Sequence, residues 1–350
     1  MPPSCIDPPS TDPTSIFEVF RGSFATELLC AAVRHFHLFG HLATGPMGFD
    51  ELRGQLGLEK RPATVLITAL RAMKLLGVDS QGRLDLSPLA REHLVTGGPF
   101  DVSDYVGLAA NSPGVLEMVD RLRSNRPAGA KPGGPGASFI YRGGLESAME
   151  SEASARRLTL ALAGRAKNVA PVLAQKLPME NVKKILDVGG GTGIYSIALL
   201  QRHRDLRGII FDRAEVLKVA REMGREYGVL DRMEFVAGDM FADALPGGCD
   251  VALLSNILHD WDEPECERLV KRCAEAVTPG GRVVIHDVFL NDELDGPLPI
   301  ALYSASLFSL TEGRAYSAAE YRKMLAGAGL SPGEVVPTLI HCGLLAGTKR

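Results

Sequence analysis

After Val182 the chain falls into a rhythm that limits its possible folds more than any other feature. Short apolar runs, "KILDVG", "LRGIIFD", "RMEFVAGD", "CDVALLS" and "GRVVIHDVF", are separated by the amphipathic stretches "YSIALLQRH", "EVLKVAREMGREYG" and "EPECERLVKRCAEAV". Continuous apolar runs suit strands buried on both faces, and the stretches between them carry helical periodicity. Strand and helix in alternation predict an α/β fold with a mainly parallel, doubly wound sheet covered by helices on both faces. The final "GEVVPTLIHCGLLAGTKR" holds two strand-like runs with no helix between them, which predicts an antiparallel hairpin at the sheet edge.

The chain before this point reads differently. Residues 1–14, "MPPSCIDPPSTDPT", are rich in Pro and Ser with no basic segment, the composition of a disordered arm rather than a signal peptide. From residue 15 to 110 apolar residues recur at three and four spacings. The order helix, turn, helix, then a hairpin around Gln81-Gly82 is that of a winged helix. Residues 111–180 read as a helical connector, interrupted at 125–138 by "NRPAGAKPGGPGAS", where Pro and Gly predict an exposed flexible loop. Residues 181–350 form the sheet domain.

Composition removes several classes of function. A net charge of -4 argues against electrostatic binding to nucleic acid or anionic membrane. The longest apolar runs are broken by Arg or His before they could span a bilayer. Six scattered cysteines without a C-x-x-C pair give no zinc or disulfide framework, so no metal is expected and the reducing cytoplasm is the expected compartment.

The loop in "LDVGGGTG" points to a ligand. No lysine follows its glycines, so it is not a P-loop. A dinucleotide fingerprint starting at Gly189 would put its third glycine at position 194. That position is Ile194, and the glycines fall at Gly189, Gly191 and Gly193. Asp187 before the loop would repel a phosphate but could receive an ammonium, directly or through water. Asp212 ends the second strand, where a carboxylate can take a ribose diol, and Asp239 ends the third, where it could accept from an exocyclic amine. Ammonium, ribose and adenine without phosphate describe S-adenosylmethionine. The plainer alternative makes the glycines a simple turn and the acids helix caps.

"LDVGGGTG", "FD", "GDMF", "SNILHDW" and "PGGRVVIHDV", in this order and spacing, resemble the cation-independent small-molecule O-methyltransferases, the family of the plant caffeate and flavonoid enzymes and of bacterial relatives in secondary metabolism. The resemblance covers nearly the whole chain. It implies a class I S-adenosylmethionine-dependent methyltransferase sheet preceded by a mainly α, winged-helix-like domain through which two copies dimerise. It further implies that Gly189 lines the methionine part of the cofactor, Asp212 the ribose, and Asp239 with Met240 the adenine, flanked by Trp261. His259 in "HDW" matches the general base and Asp287 the acid that orients it.

The chain departs from the plant pattern in two places. Where those enzymes carry a second acid beside the base, Ala315 stands, so His259 is supported from one side unless Glu312 or Glu320 substitutes. Where they carry a cofactor-touching lysine, Ser255 stands. These departures keep open a C-methyltransferase acting on an acidic carbon, or a silent cofactor-binding scaffold. Another alternative, a winged-helix regulator, fits poorly because "RPATVLITALRAMK" is too apolar for a recognition helix. In "PLPIALYSASLFSL" the spacing places Ile300, Tyr303 and Leu307 on one helical stripe with Phe308 alongside, a pattern that a plain core face would also give. In the family this helix lines the acceptor pocket, so a small, apolar, aromatic or polyketide-like acceptor is expected, with Asn256 able to bond a hydroxyl.

Overall fold

The computed structural model describes residues 2–126 and 152–350, and the chain folds into two compact units. The Pro/Gly-rich loop expected at 125–138 lies, from residue 127 onward, outside the described residues.

One unit comprises Glu18–Leu145 and Leu290–Ala315. Its short helices include Ala25–Cys30, Leu38–Ala43 and Phe49–Gln55, followed by the longer Lys60–Ala72. Then β1 (Leu76–Val78) and β2 (Leu84–Leu86) pair antiparallel with Leu76 opposite Leu86. The turn between them uses Gly82 at φ 75°, a left-handed value that glycine adopts without strain. Helix Lys60–Ala72 is buried continuously from Pro62 to Leu70, so the segment too apolar to read DNA is the centre of this unit's core. Helix Leu298–Leu310 joins that core through Leu302, Ala305 and Phe308. Its apolar residues lie on all sides, and a helix of that kind must be enclosed rather than laid on a surface. The contiguous 181–350 domain expected from sequence therefore sends residues 290–315 into the other compact unit.

Arg61 ties these helices together. Its guanidinium donates to the carbonyls of Thr311 at 3.0 Å and Gly313 at 3.3 Å, and to Asn125 Oδ1 and O at 2.8 and 2.9 Å. It also lies 4.7 Å from the centroid of the Phe308 ring. Part-buried hydrogen bonds from a charged donor contribute roughly 1.5–3 kcal/mol each, without being additive. Arg61→Ala is expected to cost at least that range in urea unfolding, with little change for Arg61→Lys at the ring but loss of the fork to the carbonyls.

The other unit comprises Met1–Phe17, Glu146–Phe289 and Tyr316–Arg350. Its strands are β3 (Lys184–Val188), β4 (Arg207–Asp212), β5 (Met233–Ala237), β6 (Cys249–Ser255), β7 (Val277–Leu290), β8 (Tyr316–Ser317), β9 (Leu330–Pro332), β10 (Val336–Pro337) and β11 (Cys342–Lys349). They form one sheet in the order β10-β11-β7-β6-β3-β4-β5, with β8 beside β7 and β9 beside β11. The strands from β7 to β5 run parallel, and β10 and β11 close the far side antiparallel, as the helix-free C-terminal stretch predicts. Helices Ile194–Arg202 and Ala214–Glu226 pack with the long helix Glu152–Lys176, while Glu263–Ala276 packs with Ala318–Gly327.

Parallel pairing in register brings the carboxyl ends of β3, β4, β5 and β6 to one edge. Val188 lies beside Phe211, and Asp212 beside Ala237. The N-terminal arm is seated on this unit instead of being disordered. Cys5 is buried, its N–H donates to Gln201 Oε1 at 2.7 Å, and Gln201 returns a bond to the Pro3 carbonyl at 2.9 Å.

Candidate active site

The glycine loop leaves β3 at its carboxyl end. Gly189, Gly191 and Gly193 all have positive φ, between 59° and 70°, and the Gly189 N–H bonds the Phe211 carbonyl at 2.8 Å. A side chain on Gly190 would meet Asp187 Cγ at 2.9 Å and Ile210 at 2.8 Å, so the loop is pressed onto what lies below it. Beside Gly191 a Cβ would meet nothing within 4 Å, which leaves open space against the loop.

Asp187 lies under this loop rather than in the open space. It is 1% exposed, and its Oδ2 accepts from Ser196 Oγ at 2.7 Å. Burial pushes its carboxyl up to about 7, partly offset by the Ser196 bond. Through Ser196 it braces the loop against the helix Ile194–Arg202. The spacing of Asp187 from the glycines is the same for a brace as for a ligand contact, so sequence alone did not separate them.

Asp212 stands at the end of β4, half-buried, with Oδ2 accepting from the Gly191 N–H at 2.8 Å and Oδ1 from the Arg213 N–H at 2.7 Å. Burial raises its pKa against these backbone bonds. A carboxylate has about four acceptor positions, so two stay available to a diol. Asp239 is exposed at the next strand end and lines an open depression of about 450 Å³ with Arg213, Ala214, Glu215, Ala237, Gly238 and Asp243. Its Oδ1 accepts from the Phe241 N–H at 2.8 Å. Met240 beside it is half-buried. Trp261 is 6% exposed, its ring edge-on to Phe241 at 4.6 Å. A loop with open space beside Gly191, a strand-end carboxylate with spare acceptor positions and a depression beyond it fit a ligand with ribose and adenine parts.

Ser255 and Asn256 follow β6. Ser255 Oγ shares a 2.8 Å hydrogen bond with His286 Nδ1, and His286 Nε2 reaches Thr338 Oγ1 at 3.2 Å. Burial drives the His286 pKa down to about 3, so this ring is neutral and structural. Asn256 is left-handed at φ 57° and donates from Nδ2 to Tyr195 OH at 3.2 Å and to Ser255 Oγ at 3.1 Å. Its Oδ1 is buried without a partner among the described residues.

His259 lies in the turn after this loop, 4% exposed. Its Nδ1 is 2.6 Å from Asp287 Oδ1 on β7, and its Nε2 is 3.7 Å from Asp260 Oδ1. Burial disfavours the charged ring, but Asp287 and then Asp260 outweigh it and hold the pKa above the ordinary 6.5. Asp287 is fully buried, and despite that burial the pairing with His259 keeps its carboxyl below the usual range. It also accepts from the Val288 N–H at 2.8 Å and from Tyr321 OH at 3.2 Å. Burial pushes Asp260 up to about 6, against the pull of His259.

Two participants were missed in the sequence. Asp260 adjoins His259 and could have been noticed there, whereas Tyr321 has no local pattern that links it to Asp287. Of the substitutes considered for the acid missing at Ala315, Glu320 closes a capping box with Ser317 at 2.8 and 3.2 Å, and Glu312 belongs to the other unit. Ala315 itself is buried, its N–H held by Ser304 Oγ at 3.1 Å. In that unit Phe308 is a core residue with no exposed surface, in keeping with the core-face reading of this helix. Leu307 is also buried, and Tyr303 is half-buried beneath the Arg21 guanidinium at 4.4 Å.

The profile of the O-methyltransferase domain family matches residues 141–331. The chain is 35% identical, over 93% of its length and 91% of the relative's, to 3-hydroxy-5-methyl-1-naphthoate 3-O-methyltransferase of Streptomyces sahachiroi. It is 29% identical, over 90% of its length and 86% of the relative's, to the L-tyrosine C(3)-methyltransferase of Streptomyces lavendulae. Among solved structures it matches an O-methyltransferase family 2 protein of Planctomyces limnophilus in complex with apigenin, at 48% identity, TM-score 0.88 and 99% coverage of both chains. Fold and relatives together define a class I methyltransferase dependent on S-adenosylmethionine. The chain belongs to the O-methyltransferase domain family and is an O-methyltransferase.

Proposed function

We propose that the chain methylates a hydroxyl of a small, mostly apolar aromatic or polyketide-like acceptor, with His259 taking the hydroxyl proton at Nε2. The buried His259–Asp287 pair at 2.6 Å carries this reading. Bound S-adenosylmethionine supplies a sulfonium methyl open to in-line attack by an oxygen. The chain's own contribution is to hold, orient and deprotonate. Gly189 and Gly191 let the backbone approach the methionine part, Asp212 accepts from the ribose, and Asp239, Met240 and Trp261 surround the adenine. Ser255 keeps Asn256 in place, and Asn256 Oδ1 offers an acceptor to a ligand donor. Asp287 holds the ring through Nδ1, so that Nδ1 carries the proton and Nε2 is the nitrogen that takes one.

Relatives that act on a naphthoate and bind apigenin support an aromatic acceptor. One relative methylates a carbon of tyrosine, and this specific observation keeps C-methylation as a second reading. Incubation with ¹³C-methyl-labelled S-adenosylmethionine and hydroxylated flavones or naphthoates tests the choice. A methoxyl carbon in the product supports the proposal, and a methyl on a ring carbon supports the alternative.

We also infer a homodimer formed through residues 15–110. Val19, Phe20, Tyr105 and Leu108 are 76–82% exposed in this unit, a set of large apolar side chains that a partner surface would cover. Light scattering is expected to give twice the 37.5 kDa chain mass, and Tyr105→Glu with Leu108→Glu is expected to give monomers. A monomeric wild type would contradict the assignment.

A further inference from the structure

The acid absent at Ala315 raises the question of what else steadies the His259–Asp287 pair. The Tyr321 hydroxyl donates to Asp287 Oδ2 at 3.2 Å, while His259 occupies Oδ1. Tyr321 has no exposed surface, and its ring is held edge-on to Phe289 at 5.6 Å and tilted against Tyr316 at 5.4 Å. The Tyr316 hydroxyl is committed to the Trp261 carbonyl at 2.7 Å. A buried tyrosine locked by aromatic neighbours, with its hydroxyl on the second oxygen of a carboxylate, fixes the rotation of that carboxylate and part of its charge.

We propose that Tyr321 is a positioning residue for His259, acting through Asp287, in place of the second acid of the plant enzymes; this rests on the proposed role of His259. The hydroxyl shares the negative charge of Asp287, which tempers the pull of the carboxylate on the imidazolium. Its removal leaves a more basic Asp287 and a His259 that holds its proton to higher pH. The same cluster includes Asp260 beside His259, His286 next to Asp287 on β7, Arg165 from helix Glu152–Lys176, Cys266 from Glu263–Ala276, and Tyr316 on β8. None of these is altered by a Tyr321 substitution, so a displaced titration reports the lost hydroxyl.

The test uses the full chain labelled with ¹⁵N in its histidine rings and saturated with S-adenosylhomocysteine. The His259 signal is assigned by its loss in His259→Gln and followed from acid to alkaline pH. In Tyr321→Phe the midpoint is expected to move to higher pH, and kcat with any accepted hydroxylated aromatic to fall ~3- to 10-fold at unchanged KM for the cofactor. Tyr316→Phe, which removes the neighbouring hydroxyl, is expected to leave the midpoint in place. A ring-fluorinated tyrosine at position 321, a stronger donor of nearly the same shape, is expected to move the midpoint to lower pH, and this holds even if Tyr321→Phe does not fold. An unmoved midpoint with cofactor-product binding intact overturns the role of Tyr321 alone. Absence of S-adenosylhomocysteine binding by the folded wild type overturns the reading of the site on which that role rests.

Discussion

His259→Ala is expected to slow methyl transfer to a phenolic hydroxyl by about 10²- to 10⁴-fold, the usual contribution of a positioned base. A phenol with a pKa near 10 is ionised in roughly one molecule per thousand at pH 7, so most acceptor molecules need their proton removed as the oxygen attacks. His259 is the side chain proposed for this. It is 4% exposed, paired to a fully buried carboxylate and close to the sheet edge where the glycine loop lies. Because His259 is not among the residues proposed to touch the cofactor, S-adenosylhomocysteine affinity is expected to stay within about threefold, a difference of ~0.7 kcal/mol. The variant also strands Asp287 in the interior, where Val288 and Tyr321 still donate to it, so its thermal stability should be measured beside its rate. A loss of rate with intact folding and intact product binding assigns His259 to the chemical step.

The second large effect is expected at Asp212. Hydrogen bonds to a charged partner contribute roughly 1.5–3 kcal/mol each, so two ribose hydroxyls on one carboxylate correspond to a loss of about 10²-fold or more in affinity on Asp212→Ala. The same carboxylate holds the Gly191 N–H at 2.8 Å, so the variant also loosens the loop at the point where space is open for a ligand. Calorimetric titration with S-adenosylhomocysteine reads both effects together. Asp239→Ala is the informative comparison. That side chain is exposed and lines a wide depression, so a smaller loss is expected there. Equal affinity in wild type and Asp212→Ala would remove the ribose from this position.

Much of the sheet was legible because the parallel strands are largely apolar, as in β3, β4 and β6, and helices such as Ala214–Glu226 and Glu263–Ala276 are amphipathic. The acids at the strand ends were legible for the same reason, since the run stops where Asp212 begins the edge. Burial of individual side chains was not. Asp187 and Asp212 look alike in sequence, yet one is under the loop with Ser196 and the other beside it with Gly191. Helix Leu298–Leu310 was recognised as apolar, but an all-round apolar helix gives no sign of which unit will enclose it, and Phe308 went to the core. The contact between Tyr321 and Asp287 depends on how helix Ala318–Gly327 settles against β7, a tertiary outcome with no local signal.

The dependence of the transfer rate on pH tests the role of His259 most directly. The ring must be neutral at Nε2 to accept a proton, and Asp287 with Asp260 holds its pKa above 6.5. The rate is therefore predicted to rise with pH along a limb centred above the ordinary histidine value, and this limb is predicted to vanish in His259→Gln. A profile flat through this range, or one whose limb persists unchanged in His259→Gln, would contradict the assignment of His259 as the base.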